Sequence, residues 1–317
     1  MKHLLLAIIF LLGLSNFTLY SQSNSKWIHF DWQGETIYGK HFDKVAMSIP
    51  LKVENMPYNF CGQFDLGATT TMLYENSFKP FASYYPVVME KLDTSLAPYY
   101  LNGRKSFFLK GLNIQLDHSL FPNRNIALIP NYGDTYPVGS INSPSQKLVG
   151  TIAPDLFQNT YLVIDFKNNR LRTYTKLPKK YKKADYVDAT IRKGRIKIPI
   201  NIGDNTEFVL FDTGNCMGDL LLDKETILKF TDANEPSEKL LDGNTWGDKI
   251  TIQTKRLLNP IFFNGKDMKI TNAQFTDTDE DVQFNKEEKI IGLIGPLLFE
   301  NKTIIIDYIH SKFGMLE

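Results

Sequence analysis

An internal repeat restricts this chain more than any other feature, because self-similarity sets the architecture before any single element is assigned. Residues 150–166 (GTIAPDLFQNTYLVIDF) align without a gap with residues 292–308 (GLIGPLLFENKTIIIDY), and eight of the seventeen positions are identical. Upstream, IPLKV at 49–53 matches IPINI at 198–202, and FDLG at 64–67 matches FDTG at 211–214. The pieces keep their order and nearly their spacing. The interval from Ile49 to Asp65 is close to that from Ile198 to Asp212, and the interval from Asp65 to Ala153 is close to that from Asp212 to Gly295. The chain is therefore expected to be two copies of one unit. They should meet near the basic run KLPKKYKKA at 176–184, which reads as a solvated connector.

Each unit reads mostly as strand. Apolar, β-rich runs at 45–53, 107–116 and 161–165, with counterparts at 195–202, 249–253 and 303–307, are separated by Gly, Asn and Pro turn signals. Asn102-Gly103 after Tyr99-Tyr100-Leu101 predicts a tight hairpin, because both residues tolerate positive φ. Segments 75–81 and 223–231 read as short helices or turns. Aromatic residues make up 13% of the chain, which favours an all-β chain over a helical bundle. Lys and Arg total 36 against 35 Asp and Glu, a balance that argues against a dedicated nucleic-acid binder. At the N-terminus, a short polar start and the apolar run from Leu4 to Leu14 predict a signal peptide over residues 1–21. The run is too short to cross a bilayer as a helix; an uncleaved anchor is the alternative. The mature protein is expected to be exported, periplasmic or extracellular, and soluble.

Asp-x-Gly closes an apolar run in both halves, at Asp65 and at Asp212. A carboxylate at the end of a buried strand costs desolvation unless it turns into a loop, and a following Gly lets the backbone bend and aim N–H groups at it. One such triplet is an ordinary strand-ending turn. Two in register, brought together by pairing of the repeats, would set two carboxylates side by side, where one proton is shared between them.

These residues resemble the aspartic peptidase superfamily, the bilobal pepsin-like and dimeric retropepsin-like enzymes. The likeness rests on FDLGAT at 64–69, FDTGN at 211–215, and GLIG at 292–295 with its counterpart GTIA at 150–153. It implies an all-β fold of two homologous acid-protease lobes, residues 22–180 and 181–317, related by a pseudo-twofold axis with a cleft between them. It also implies an endopeptidase in which Asp65 and Asp212 activate a water, with no metal or organic cofactor. Gly67, Ala68, Thr69, Thr213, Gly214 and Asn215 would form the supporting loops, and Tyr99 or Tyr100 the aromatic group of a flap. The substrate would be an extended peptide or unfolded protein, and the enzyme a monomer; an inactive peptide-binding relative is the alternative.

Three departures from the family pattern bear on that reading. Leu66 stands where the family has Thr, so only Thr213 offers a hydroxyl to the opposite loop. Ala68 lacks a hydroxyl donor, which should leave the proton on Asp65, while the Asn215 amide is expected to donate to its own side of the pair. Elsewhere, Asp277, Asp279 and Asp281 alternate as in a calcium loop, but Val282 fills the position that needs Gly, so a solvated loop is expected. Cys61 and Cys216 occupy non-equivalent positions and are expected to be buried thiols, with a disulfide, which export permits, as the alternative.

Overall fold

The computed structural model describes residues 26–37, 39–245 and 248–317, with the side chains of 243–249 left aside; the expected signal peptide lies outside the described residues. The chain is all-β in class, and its described residues form three sheets. A nine-stranded sheet is built from strands between Asp31 and Ile152, and a ten-stranded sheet from strands between Thr190 and Ile294. The third, six-stranded, draws on both halves. Among the described residues no helix is long and apolar enough to cross a membrane.

The strands form where alternation demands them. In Arg195–Ile202 the residues Ile196, Ile198, Ile200 and Ile202 all point inward and are at most 1% exposed. Observed strands run longer than the apolar patterns: Lys40–Val53, Arg104–Leu116 and Asp248–Arg256 extend beyond them at polar ends. The hairpin joining Tyr99–Leu101 to Arg104–Leu116 turns at Asn102 (φ +44°) and Gly103 (φ +73°), the left-handed pair a two-residue turn requires. Helices cover Glu75–Ala82 and Ile227–Phe230, at the segments read as helix or turn. The acidic run 277–281 is not a solvated loop. Thr278 caps the helix Asp279–Glu288 by accepting from Asp281 N–H, and three acidic side chains occupy its first turn, where the helix dipole favours them. The basic run forms a short 3-10 helix, Lys179–Lys183, pinned by the buried Tyr181.

Equivalent segments make equivalent pairings. Phe60–Phe64 runs parallel to Lys147–Ile152, and Asn205–Phe211 runs parallel to Gly292–Ile294, ending on Phe64 with Ile152 and on Phe211 with Ile294. Phe64 meets Phe157 edge-on at 5.9 Å, and Phe211 meets Phe299, the matching residue of the repeat, at 5.4 Å. Edge-on contact is a favoured geometry for aromatic pairs. Gly150 and Gly292 are needed for closeness: a Cβ on either would strike a backbone carbonyl, of Met72 or Leu221. In the six-stranded sheet, Tyr161–Asp165 lies antiparallel to Thr303–Asp307 with Val163 opposite Ile305, the two residues the gapless alignment makes equivalent.

Candidate active site

Each Asp follows the last residue of a buried strand, and its own N–H closes the parallel ladder. Asp65 N donates to Ile152 O and Asp212 N to Ile294 O, both at 3.0 Å. The chain then turns, and the loop amides point back at the carboxylates. Asp65 Oδ1 accepts from Gly67 N (2.8 Å) and Ala68 N (2.9 Å); Asp212 Oδ1 accepts from Gly214 N at 2.7 Å. The Gly67 amide also donates to Asp212 Oδ1 at 3.1 Å, so one N–H serves carboxylates from opposite halves of the chain. The two carboxyl groups hydrogen-bond each other as well.

Glycine is required here for approach, not for φ. A Cβ on Gly67 would collide with the Asp212 carboxyl, and one on Gly214 would sit 2.8 Å from the carboxyl carbon of Asp65. Each half therefore leaves a gap that the other half's carboxylate fills. Neither glycine adopts positive φ, so what the loops require of them is the missing side chain.

Thr213, fully buried, ties the loops together: its Oγ1 accepts from Leu66 N and donates to Phe64 O, both at 2.9 Å. Leu66, also fully buried, joins the hydrophobic core instead of returning such a bond. Asn215 does not take the role expected of it, because its Nδ2 is buried without a hydrogen-bond partner among the described residues. Thr69 hydrogen-bonds Tyr99, whose half-buried phenol feels the charges of Asp65 and Arg195. Tyr100 is 60% exposed, so of the two hairpin tyrosines Tyr99 is the one turned toward the loop after Asp65, through Thr69.

Burial, then the neighbouring Asp212 charge, holds the Asp65 carboxyl well above the usual carboxylate range, against the pull of the Ala68 and Gly67 amides. Asp212 is also raised by burial, but the Gly214 amide, the bond from Asp65, the Arg195 charge and the Gly67 amide oppose it. Both carboxyls are raised and they interact, so the two titrate as one coupled pair that shares a proton.

Two charged side chains at the site escaped sequence reasoning. Arg195 opens an apolar strand, and its Nε donates to Gly67 O at 2.5 Å. Asp155 occupies a position that is Leu297 in the second copy; its Oδ1 accepts from Thr71 N and Thr71 Oγ1, fastening the loop after Asp65 to the 150–156 segment. Asp155 could have been found as an ion where the other copy has Leu, whereas Arg195, flanked by Arg192, Lys193 and Lys197, carried no such signal. Cys61 and Cys216 are free and buried, and burial pushes the Cys61 thiol up to about 12. Cys216 Sγ donates to Thr213 O at 3.1 Å. No group of three or more potential metal ligands occurs among the described residues. No protein-family model matches this chain, and no curated protein matches it.

Proposed function

We propose that the protein is an exported, monomeric aspartic endopeptidase, built as two acid-protease lobes about a pseudo-twofold axis, that hydrolyses peptide bonds with a water activated between Asp65 and Asp212. One observation carries this reading: two buried carboxyl groups, from equivalent positions of a repeat, bonded to each other and to a single shared amide. The pseudo-twofold is supported by the matched bonds of Asp65 and Asp212 to their ladders and by Val163 facing Ile305.

The proton arrangement suits the chemistry. Ionised Asp212 takes a proton from the attacking water while protonated Asp65 hydrogen-bonds the scissile carbonyl oxygen and stabilises its developing charge. This is the division of labour established for aspartic peptidases as a class. The amine then leaves with the proton carried by Asp212, and Asp65 is left to re-form the shared pair. An extended peptide would lie beneath the 99–106 hairpin by strand-like pairing, with Tyr99 near the reacting bond. The rival, a peptide-binding protein without turnover, draws on Leu66, which offers the opposite loop no counterpart to the Thr213 bonds.

Digestion of a denatured protein across pH 3 to 8 separates the two. Cleavage that disappears in both Asp65→Asn and Asp212→Asn, and resists inhibitors of serine, cysteine and metal peptidases, is the expected result. Peptide affinity without turnover in the wild-type protein would establish the rival.

A further inference from the structure

Arg195 is held on three sides. Its Nε donates to Gly67 O, its Nη1 lies 3.2 Å from Glu288 Oε1, and its guanidinium stacks 5.1 Å from the Phe284 ring centroid. Phe284 and Glu288 are one helical turn apart on Asp279–Glu288, so they present ring and carboxylate on one face. The planar fork of Arg can meet a carbonyl and a carboxylate at once, which the point charge of a Lys cannot. The peptide that Arg195 grips is the one whose far side faces the pair: Gly67 supplies the carbonyl, and the Ala68 N–H of the same peptide donates to Asp65 Oδ1 at 2.9 Å.

We propose that Arg195, anchored by Glu288, is a positioning residue for the Asp65–Asp212 pair: it draws electron density toward the Gly67 carbonyl, strengthens the Ala68 N–H bond to Asp65, and fixes the loop of one half from a strand of the other. This rests on the peptidase reading for its kinetic consequence but not for its electrostatic one. A cation on the carbonyl side of a peptide makes the amide a better donor, as in any polarised hydrogen-bond chain. Loss of that cation weakens stabilisation of the carboxylate form, so both ionisations of the pair move to higher pH. Removing the Glu288 charge has the opposite effect, because it leaves Arg195, Lys197 and Arg192 less neutralised. A merely structural brace would move both variants the same way.

The other ionisable groups around the site are distinguishable. Burial pushes the Tyr74 and Tyr99 phenols and the Cys216 thiol upward, away from the acid range. Asp155, pushed up to about 6 by burial, titrates within the range but is common to every variant compared. Asp219, in the loop after Asp212 and also raised by burial, is likewise common to all.

The test is a carboxyl titration by NMR on protein with 13C-labelled Asp, alongside pH profiles of kcat/KM on a denatured protein. In Arg195→Met the pair is expected to titrate about one pH unit higher, the low end for loss of a neighbouring Arg already paired with an acid. In Glu288→Gln it should titrate lower, and Arg195→Lys should recover part of the shift. Unmoved carboxyls in Arg195→Met, or shifts of the same sign in Arg195→Met and Glu288→Gln, overturn the proposal. If Arg195→Met does not fold, Arg195→Gln and the sign in Glu288→Gln decide. A protein that cleaves nothing yet shows the opposed shifts would sink the peptidase reading and leave the role of Arg195 standing.

Discussion

Replacing Thr213 with Val tests how much the link between the two Asp loops contributes to the fold. Val keeps the shape of Thr and replaces the hydroxyl with a methyl. That hydroxyl satisfies two buried backbone groups, Leu66 N–H and Phe64 C=O, each at 2.9 Å, inside a residue with no exposed surface. A buried backbone group left without a partner costs about 1–3 kcal/mol. The Phe64 carbonyl ends a sheet strand, so its loss belongs at the low end, and the added methyl returns about 0.8 kcal/mol. The expected net loss is about 1–3 kcal/mol, because the buried site gives the two groups no ready substitute for the hydroxyl. In urea this should lower the unfolding midpoint by about 1 M with an unchanged slope. Thr213→Ser, which keeps both bonds and loses one methyl, should lose about 1 kcal/mol. A Val variant within about 0.5 kcal/mol of wild type, or a Ser variant as unstable as Val, would show that the hydroxyl bonds do not hold the loops together.

Further predictions concern the carboxyl pair and its surroundings. Gly67→Ala should drive Asp212 away from Asp65 and cost at least about 100-fold in peptidase rate, since catalytic geometry tolerates little displacement; a rate within a few-fold of wild type would refute the packing argument. Ala68→Ser should move the pH–rate profile to lower pH by giving Asp65 a hydroxyl donor, and an unmoved or raised profile counts against that reasoning. Asp155 titrates from 3.8 in the unfolded chain to about 6 in the folded one, so the folded form binds more protons between those values and stability falls as pH rises through that window. Asp155→Asn should flatten the fall and be about 2 kcal/mol more stable than wild type at pH 7, measured by urea unfolding at pH 4 and pH 7; an unchanged pH slope would count against the assignment.

How much of this was legible depended on whether one copy of the repeat could report on the other. The parallel pairing of Phe60–Phe64 with Lys147–Ile152 and of Asn205–Phe211 with Gly292–Ile294 follows from segments that match in order and spacing. The hairpin at Asn102-Gly103 was readable because its chemistry is local. Local reading failed at 277–281, where alternating acids suggested a loop. Thr278 with acids behind it is also a helix start, and the capping bond, not the acid spacing, decides which forms.

The pair was legible in the sequence, but the residues that make its two sides unequal were not. Two identical loops about a true axis would split the proton evenly, so its place is set by positions where the copies differ. The contrast of Ala68 with Asn215 does not supply the expected difference, since the Asn215 amide has no partner among the described residues. The working differences are Asp65 at 6% exposed against a more open Asp212, and Arg195, whose charge opposes the rise at Asp212. Arg195 reaches the pair by crossing from the second half to Gly67, and no spacing within one copy encodes that contact. A repeat reveals what its copies have in common. Whatever makes the two sides of this pair unequal comes from what they do not share, and only the packed chain brings those residues together.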